Sequence, residues 1–269
     1  MQVGEVAVTS GVPPSRRFPP TMEGVHLDIL PQPDDTTCGP TCLQAMYRYW
    51  GDESPLAEVI AETPQLEDGG TLASMLGCHA LERGYRATIY SYNLEVFDPT
   101  WFYSKDRSLE EKLLAQMEVK DSPKLKTACR AYVDFLRAGG EIRMEDLTRQ
   151  LLRGYLNRGI PILAGLSSTY LYQAAREYGP RCDSDDVRGT PSGHFVVLCG
   201  YDRHRKEVQV ADPYLPNPLA PRDNYYVVGV DRVVCAILLG TYTYDANLLI
   251  IQPVGRSKGH GGGNPDRRQ

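Results

Sequence analysis

Cys38 stands in QPDDTTCGPTCLQAMYRYWG, residues 32–51, between a polar loop and a segment whose apolar residues Leu43, Met46, Tyr47 and Trp50 recur at helical spacing. A thiolate attacks a carbonyl carbon far better than a thiol does, and the positive end of a helix favours the negative form. At the first turn of a helix over residues 39–50, closed by Gly51, Cys38 is a candidate nucleophile. Such a nucleophile needs an imidazole to hold or exchange its proton and a third group to orient the imidazole. His194 opens the apolar run HFVVLCGYD, and Asp212 closes the next one, VQVAD. A turn over Asp202 to Lys206 joins the two as a hairpin, so His194 and Asp212 are expected as cross-strand neighbours, with Asp202 at the far end a poorer orienter. Gln32, six residues before Cys38, can donate its side-chain amide beside the Cys38 backbone N–H to an oxyanion.

Other residues have both a chemical and a structural reading. Cys42, Cys78 and His79 can be drawn with Cys38 as a zinc site, but the spacing is unlike paired zinc knuckles, and Cys42 reads as a packed core thiol. No metal and no organic cofactor is expected. Tyr170 and Tyr172, in the segment before His194, and Tyr214, just after Asp212, are placed either to line a substrate cleft or to pack half-exposed. Asp35, with Asp34 beside it, either recognises a basic or amine-bearing substrate or belongs to a solvated loop.

The elements that must position these groups follow from periodicity. A second helix is expected from an N-cap at Thr71 to Gly84, with Leu72, Met75 and Leu76 facing inward, then a strand over 85–92. From Ser108 to Gly159 the pattern is helical almost throughout, beginning with a capping box of Ser108 and Glu111. The segments IPILAGL, HFVVLCGY, EVQVADPY and NLLIIQP then lean to β-structure, with YYVVGVDRVVCAILLG reading as a strand leading into a short helix. Helices first and strands later mean an α+β domain on an antiparallel sheet. Residues 1–25 read as an extended arm, 26–253 as one domain and 254–269 as a disordered tail.

Gln-x5-Cys, Cys-Gly with a Leu-containing helix, Gly-His-Phe-Val-Val and Ala-Asp-Pro together resemble the C39-like branch of the papain-like cysteine peptidases. DGGTLASMLGCHALERGY and LLRGYLNRGIPILAGL are secondary echoes, and the resemblance spans roughly residues 28–252. It implies a papain-like fold, a helical half packed on the sheet, with Cys38 as nucleophile, His194 as base, Asp212 as its orienter and Gln32 in the oxyanion hole. The implied activity is cleavage of a peptide or amide bond through an acyl-thioester. Acyl or amide transfer on the same fold and a catalytically idle peptide-binding module are the alternatives. The 156 positions between Cys38 and His194 exceed the spacing of the compact exporter-linked domains, so a helical insert at about 94–145 is expected as a lobe or lid over the cleft.

Composition excludes other classes. Acidic and basic residues are mixed along a chain of net charge −5 without a basic stripe, so nucleic acid is not an expected partner. No apolar run reaches membrane-spanning length, and the first residues lack the basic head and apolar middle of a signal peptide. A soluble cytoplasmic protein with free thiols, seven cysteines scattered over 269 residues, is the expectation.

Overall fold

The computed structural model describes residues 22–67, 69–103 and 107–255. The expected arm and tail therefore fall largely outside the described residues. Of the arm, Glu23–Gly24 forms β1, paired antiparallel with Gly200 and Tyr201. α1 (Cys38–Trp50) buries Cys42, Leu43, Met46 and Tyr47 and stops at Gly51, whose φ of 89° lies in the left-handed region that glycine enters without a Cβ clash. α2 (Leu56–Glu62) escapes the sequence reading because it buries only Val59, too little for an apolar period. α3 (Ala73–Glu82) starts later than expected. Thr71 is not its cap, since the hydroxyl donates instead to the Pro64 carbonyl at 3.0 Å and closes the preceding loop.

β2 (Tyr85–Ser91) follows, then α4 (Leu109–Val119), opened by the Ser108–Glu111 capping box, and α5 (Pro123–Arg137). β3 (Glu141–Arg143) interrupts the block read as helical and pairs parallel with Thr88–Tyr90 of β2. With three residues and one buried side chain, Ile142, it is too short for alternation to appear. The chain continues through α6 (Arg149–Leu156), β4 (Ile162–Ser167), α7 (Ser168–Tyr172) and a small hairpin of β5 (Glu177–Tyr178) and β6 (Asp183–Ser184). β7 (Gly193–Asp202), β8 (Glu207–Ala211), β9 (Tyr225–Gly229), α8 (Val230–Leu239) and β10 (Asn247–Pro253) complete it.

The main sheet runs β3-β2-β10-β4-β7-β8-β9, antiparallel except at β2–β3. Alternation along the strands gives it two apolar faces. Phe195, Val197, Leu249 and Ile251 pack with α1, α3 and α5, whereas Val196, Leu198, Leu248 and Ile250 pack with α6 and α8. The helical insert belongs to the first of these cores. α5 buries Leu125, Cys129, Tyr132 and Phe135 among the side chains of α1 and α3, and its Lys124 ammonium lies 4.9 Å above the Tyr244 ring just before β10. Among the described residues no helix is long and apolar enough to cross a membrane.

Candidate active site

Two elements meet at the site. Cys38 is the first residue of α1, half-buried, in the turn where helix geometry leaves backbone N–H groups without an intrahelical partner. The loop ahead of it is shaped by Asp34, whose Oδ1 accepts from the Thr36 N–H and hydroxyl, both at 2.8 Å. Burial opposes these bonds, but together they hold the Asp34 carboxyl below the usual range. Asp34 is thus part of the turn that leads into α1. One helical turn on, the Cys42 thiol donates to the Phe195 carbonyl at 3.2 Å and ties α1 to β7 one residue past His194.

His194 Nε2 and Asp212 Oδ1 are 2.9 Å apart. The two residues are not a cross-strand pair: β7–β8 pairing ends at Val197–Ala211, and the side chains meet just beyond the ladder. Asp212 is pinned there through its own backbone, its N–H donating to the Asn224 carbonyl at 2.7 Å while the Asn224 side-chain amide donates to the Asp212 carbonyl at 2.6 Å. With Nε2 taken by Asp212, Nδ1 is left to face Cys38, whose charge also favours the protonated imidazole.

Burial pulls the His194 imidazolium toward losing its proton, but the charge and hydrogen bond of Asp212, with those of Cys38, outweigh it and push the value up to about 10. Burial likewise works against ionisation of Asp212, yet the imidazolium, the Tyr214 N–H and the Tyr226 hydroxyl keep its carboxyl below the ordinary value.

Asp212 has two partners that the sequence did not announce. Its Oδ2 accepts from the Tyr172 hydroxyl at 2.8 Å and from the Tyr226 hydroxyl at 2.7 Å, and its Oδ1 also accepts from the Tyr214 N–H at 2.9 Å. The sequence offers Tyr172 as a cleft-lining or half-exposed packing residue, not as a partner of Asp212, and Tyr226 lies in a strand pattern with nothing to mark it.

Of the proposed cleft residues, Tyr172 and Tyr214 flank the imidazole, with ring centroids 6.2 and 6.3 Å from it. Tyr170 is 37% exposed on α7, with no ring contact to His194 among the described residues. Asp35 is exposed in the turn before Cys38, opposite the β5–β6 hairpin. There Cys182 has its thiol pushed up by burial, by Glu177 and by the charge of Asp35.

Gln32 is fastened beside Asp212 by its N–H, which donates to the Pro213 carbonyl at 2.8 Å. Its side-chain Nε2 donates to the Asp34 carbonyl at 2.7 Å, while Oε1 is buried without a hydrogen-bond partner among the described residues. The residues of the alternative zinc drawing have other occupations. Cys42 bonds Phe195, and His79 sits between the Tyr47 hydroxyl at 2.8 Å and Glu62 at 3.2 Å.

Gly193 is forced by packing. A Cβ there would overlap the carboxylate of Asp245, which is 7% exposed and whose carboxyl is pushed up to about 7 by burial, against the pull of Thr243, His194 and Lys124. Gly193→Ala is expected to cost about 1–3 kcal/mol in urea unfolding, as other overpacked sites do, and to displace His194. Gly154→Ala, on α6 with open space around it, should be neutral or stabilising. Equal behaviour of the two variants would contradict this packing.

Residues 26–226 match the Peptidase_C39 like family. The chain belongs to that family. Its fold is accordingly papain-like, a helical half on a largely antiparallel sheet. Solved structures similar to it include the peptidase domain of Streptococcus ComA, a bi-functional ABC transporter, at 14% identity over 85% of this chain and 99% of that one, TM-score 0.39. A putative C39-like peptidase from Bacillus anthracis is 13% identical over 84% and 94%, TM-score 0.41. Xylellain, a cysteine protease from Xylella fastidiosa, is 13% identical over 94% and 95%, TM-score 0.40. Among curated proteins none matches.

Proposed function

We propose that this C39-like chain is a cysteine peptidase that cleaves a peptide or amide bond through Cys38, His194 and Asp212. The observation that carries the reading is one buried imidazole shared by a carboxylate at 2.9 Å and a thiol at a helix N-terminus. An imidazole held protonated next to a thiol is the proton inventory that acylation requires.

In the proposed reaction the Cys38 thiolate adds to the carbonyl carbon, and the pair of electrons displaced onto oxygen is met by the Cys38 N–H and by the second N–H of the Gln32 amide, the first being engaged by Asp34. The tetrahedral intermediate expels the amine, which takes its proton from His194, leaving a thioester. Water, deprotonated by the now neutral His194, adds to the thioester and expels the Cys38 thiolate, restoring the imidazolium. Asp212 stays ionised throughout and holds the ring.

The test is a complex peptide mixture incubated with the protein and with Cys38→Ala, with new termini read by mass spectrometry. Termini that need Cys38 are the expected result. Gln32→Ala should then lower kcat on a cleaved peptide by about 10²–10³ with little change in KM, the usual cost of an oxyanion donor. No Cys38-dependent terminus would overturn the peptidase reading, and an unimpaired Gln32→Ala would remove Gln32 from the oxyanion hole.

A further inference from the structure

The orienting carboxylate is the most heavily coordinated group in the described structure's site. Asp212 accepts four hydrogen bonds, and the two on Oδ2 come from phenols on separate elements: Tyr172 at the end of α7 and Tyr226 in the edge strand β9. Neither hydroxyl touches the imidazole. Tyr226 is buried and Tyr172 half-buried, and the Tyr172 ring also forms the cleft wall between His194 and Tyr214, with 6.2 Å between the two tyrosine centroids.

A carboxylate on a two-bond side chain can rotate about its Cβ–Cγ bond, and an Oδ2 without donors in a dry site would be free to seek some. Two fixed donors on one oxygen remove that freedom and leave Oδ1 aimed at Nε2. We infer that Tyr172 and Tyr226 are positioning residues, a two-phenol clamp that fixes the Asp212 carboxylate on His194. The inference rests on the proposed Cys38–His194–Asp212 reading and deepens it. Because α7 leads straight into the β5–β6 hairpin beside Asp35, the clamp also joins the cleft wall to the orienter.

Other groups face the imidazole and must stay constant in a test: Cys38 from α1, Asp245 ahead of β10 with Lys124 of α5 near it, and Tyr214 after β8. Cys42 lies behind, within reach of the charges of Cys38 and Asp212.

The experiment is NMR titration of the His194 ring, assigned by its loss in His194→Gln, in wild type, Tyr172→Phe, Tyr226→Phe and the double variant. Tyr155→Phe is the control, since it deletes a similar hydroxyl, bonded to Tyr90 at 2.8 Å, away from the site. The clamp predicts that the His194 midpoint falls, by about one unit or more in the double variant, a tenfold weaker hold on the proton, because a freed carboxylate turns off Nε2. If the phenols only screened the charge of Asp212, deleting them would raise the midpoint. A rise, or no change, overturns the inference, as does an equal fall in Tyr155→Phe.

Each single variant keeps one donor, so a double variant that fails to fold leaves the singles to decide. Iodoacetamide labelling of Cys38 in the same samples separates the two readings. Selective labelling without a tyrosine-dependent shift overturns the clamp alone, whereas the shift with an inert Cys38 keeps the clamp and overturns the peptidase.

Discussion

At pH 6 iodoacetamide is expected to label Cys38 at least about tenfold faster than any other of the seven cysteines, and His194→Ala should abolish the preference. Cys182 is the useful comparator, because it is exposed but has its thiol pushed up by burial and by nearby acids. Cys42 and Cys199 are buried, with thiols raised by desolvation, and should not react in the folded protein.

The same His194→Ala change should lower turnover of any cleaved peptide by about 10²–10⁴, the range for a lost general acid–base. The pH profile carries a sign. His194 has its value raised from 6.5 to about 10, so the imidazolium that the proposed mechanism calls on to protonate the leaving amine should be present at neutral pH and be lost only as pH rises through about 10. Folding linkage has the same direction for His194, whose contribution is complete below pH 6.5 and fades through about 10, whereas that of Asp212, its carboxyl held below the ordinary value, is lost only in acid. Asp212→Asn removes the main cause of the rise, and the alkaline decline of turnover should move down toward pH 6.5. A decline unchanged in Asp212→Asn, or labelling of Cys38 no faster than of Cys182, would overturn the thiolate–imidazolium site.

Phe135→Ala has the largest effect expected on stability, about 3–5 kcal/mol in urea unfolding. Phe135 is fully buried on α5, and its ring lies where a Cβ at either Gly77 of α3 or Gly140 before β3 would overlap it. Two glycines on different elements thus form the slot for one ring, and truncation leaves a cavity that neither backbone can fill without moving. If the insert were a detachable lobe, the variant would show a separate early transition and leave the main one in place. A single transition shifted to lower urea shows the insert to be part of the core, and a loss below about 1 kcal/mol would contradict the packing described.

Much of this was legible in the residues. The 3.6-residue period, Gly51 and the Ser108–Glu111 box place α1 and α4 without reference to the rest of the chain, because caps and amphipathic faces are local. Hairpin geometry around residues 202–206 brought His194 and Asp212 to one end of the sheet, since strand pairing about a turn is also nearly local. Other features depended on contacts between distant segments. The parallel β2–β3 pair joins residues 53 positions apart and has no periodic signal in three residues. Val59 alone could not mark α2, and Thr71 was drawn from its capping role by the Pro64 carbonyl. Tyr172 and Tyr226 converge on Asp212 from positions 40 and 14 residues away, and Asp245 closes on Gly193 from a loop before β10. A phenol or a carboxylate in the sequence declares what it can donate or accept, and the folded chain decides to whom, because the partner is chosen by burial and distance between segments that no local pattern relates.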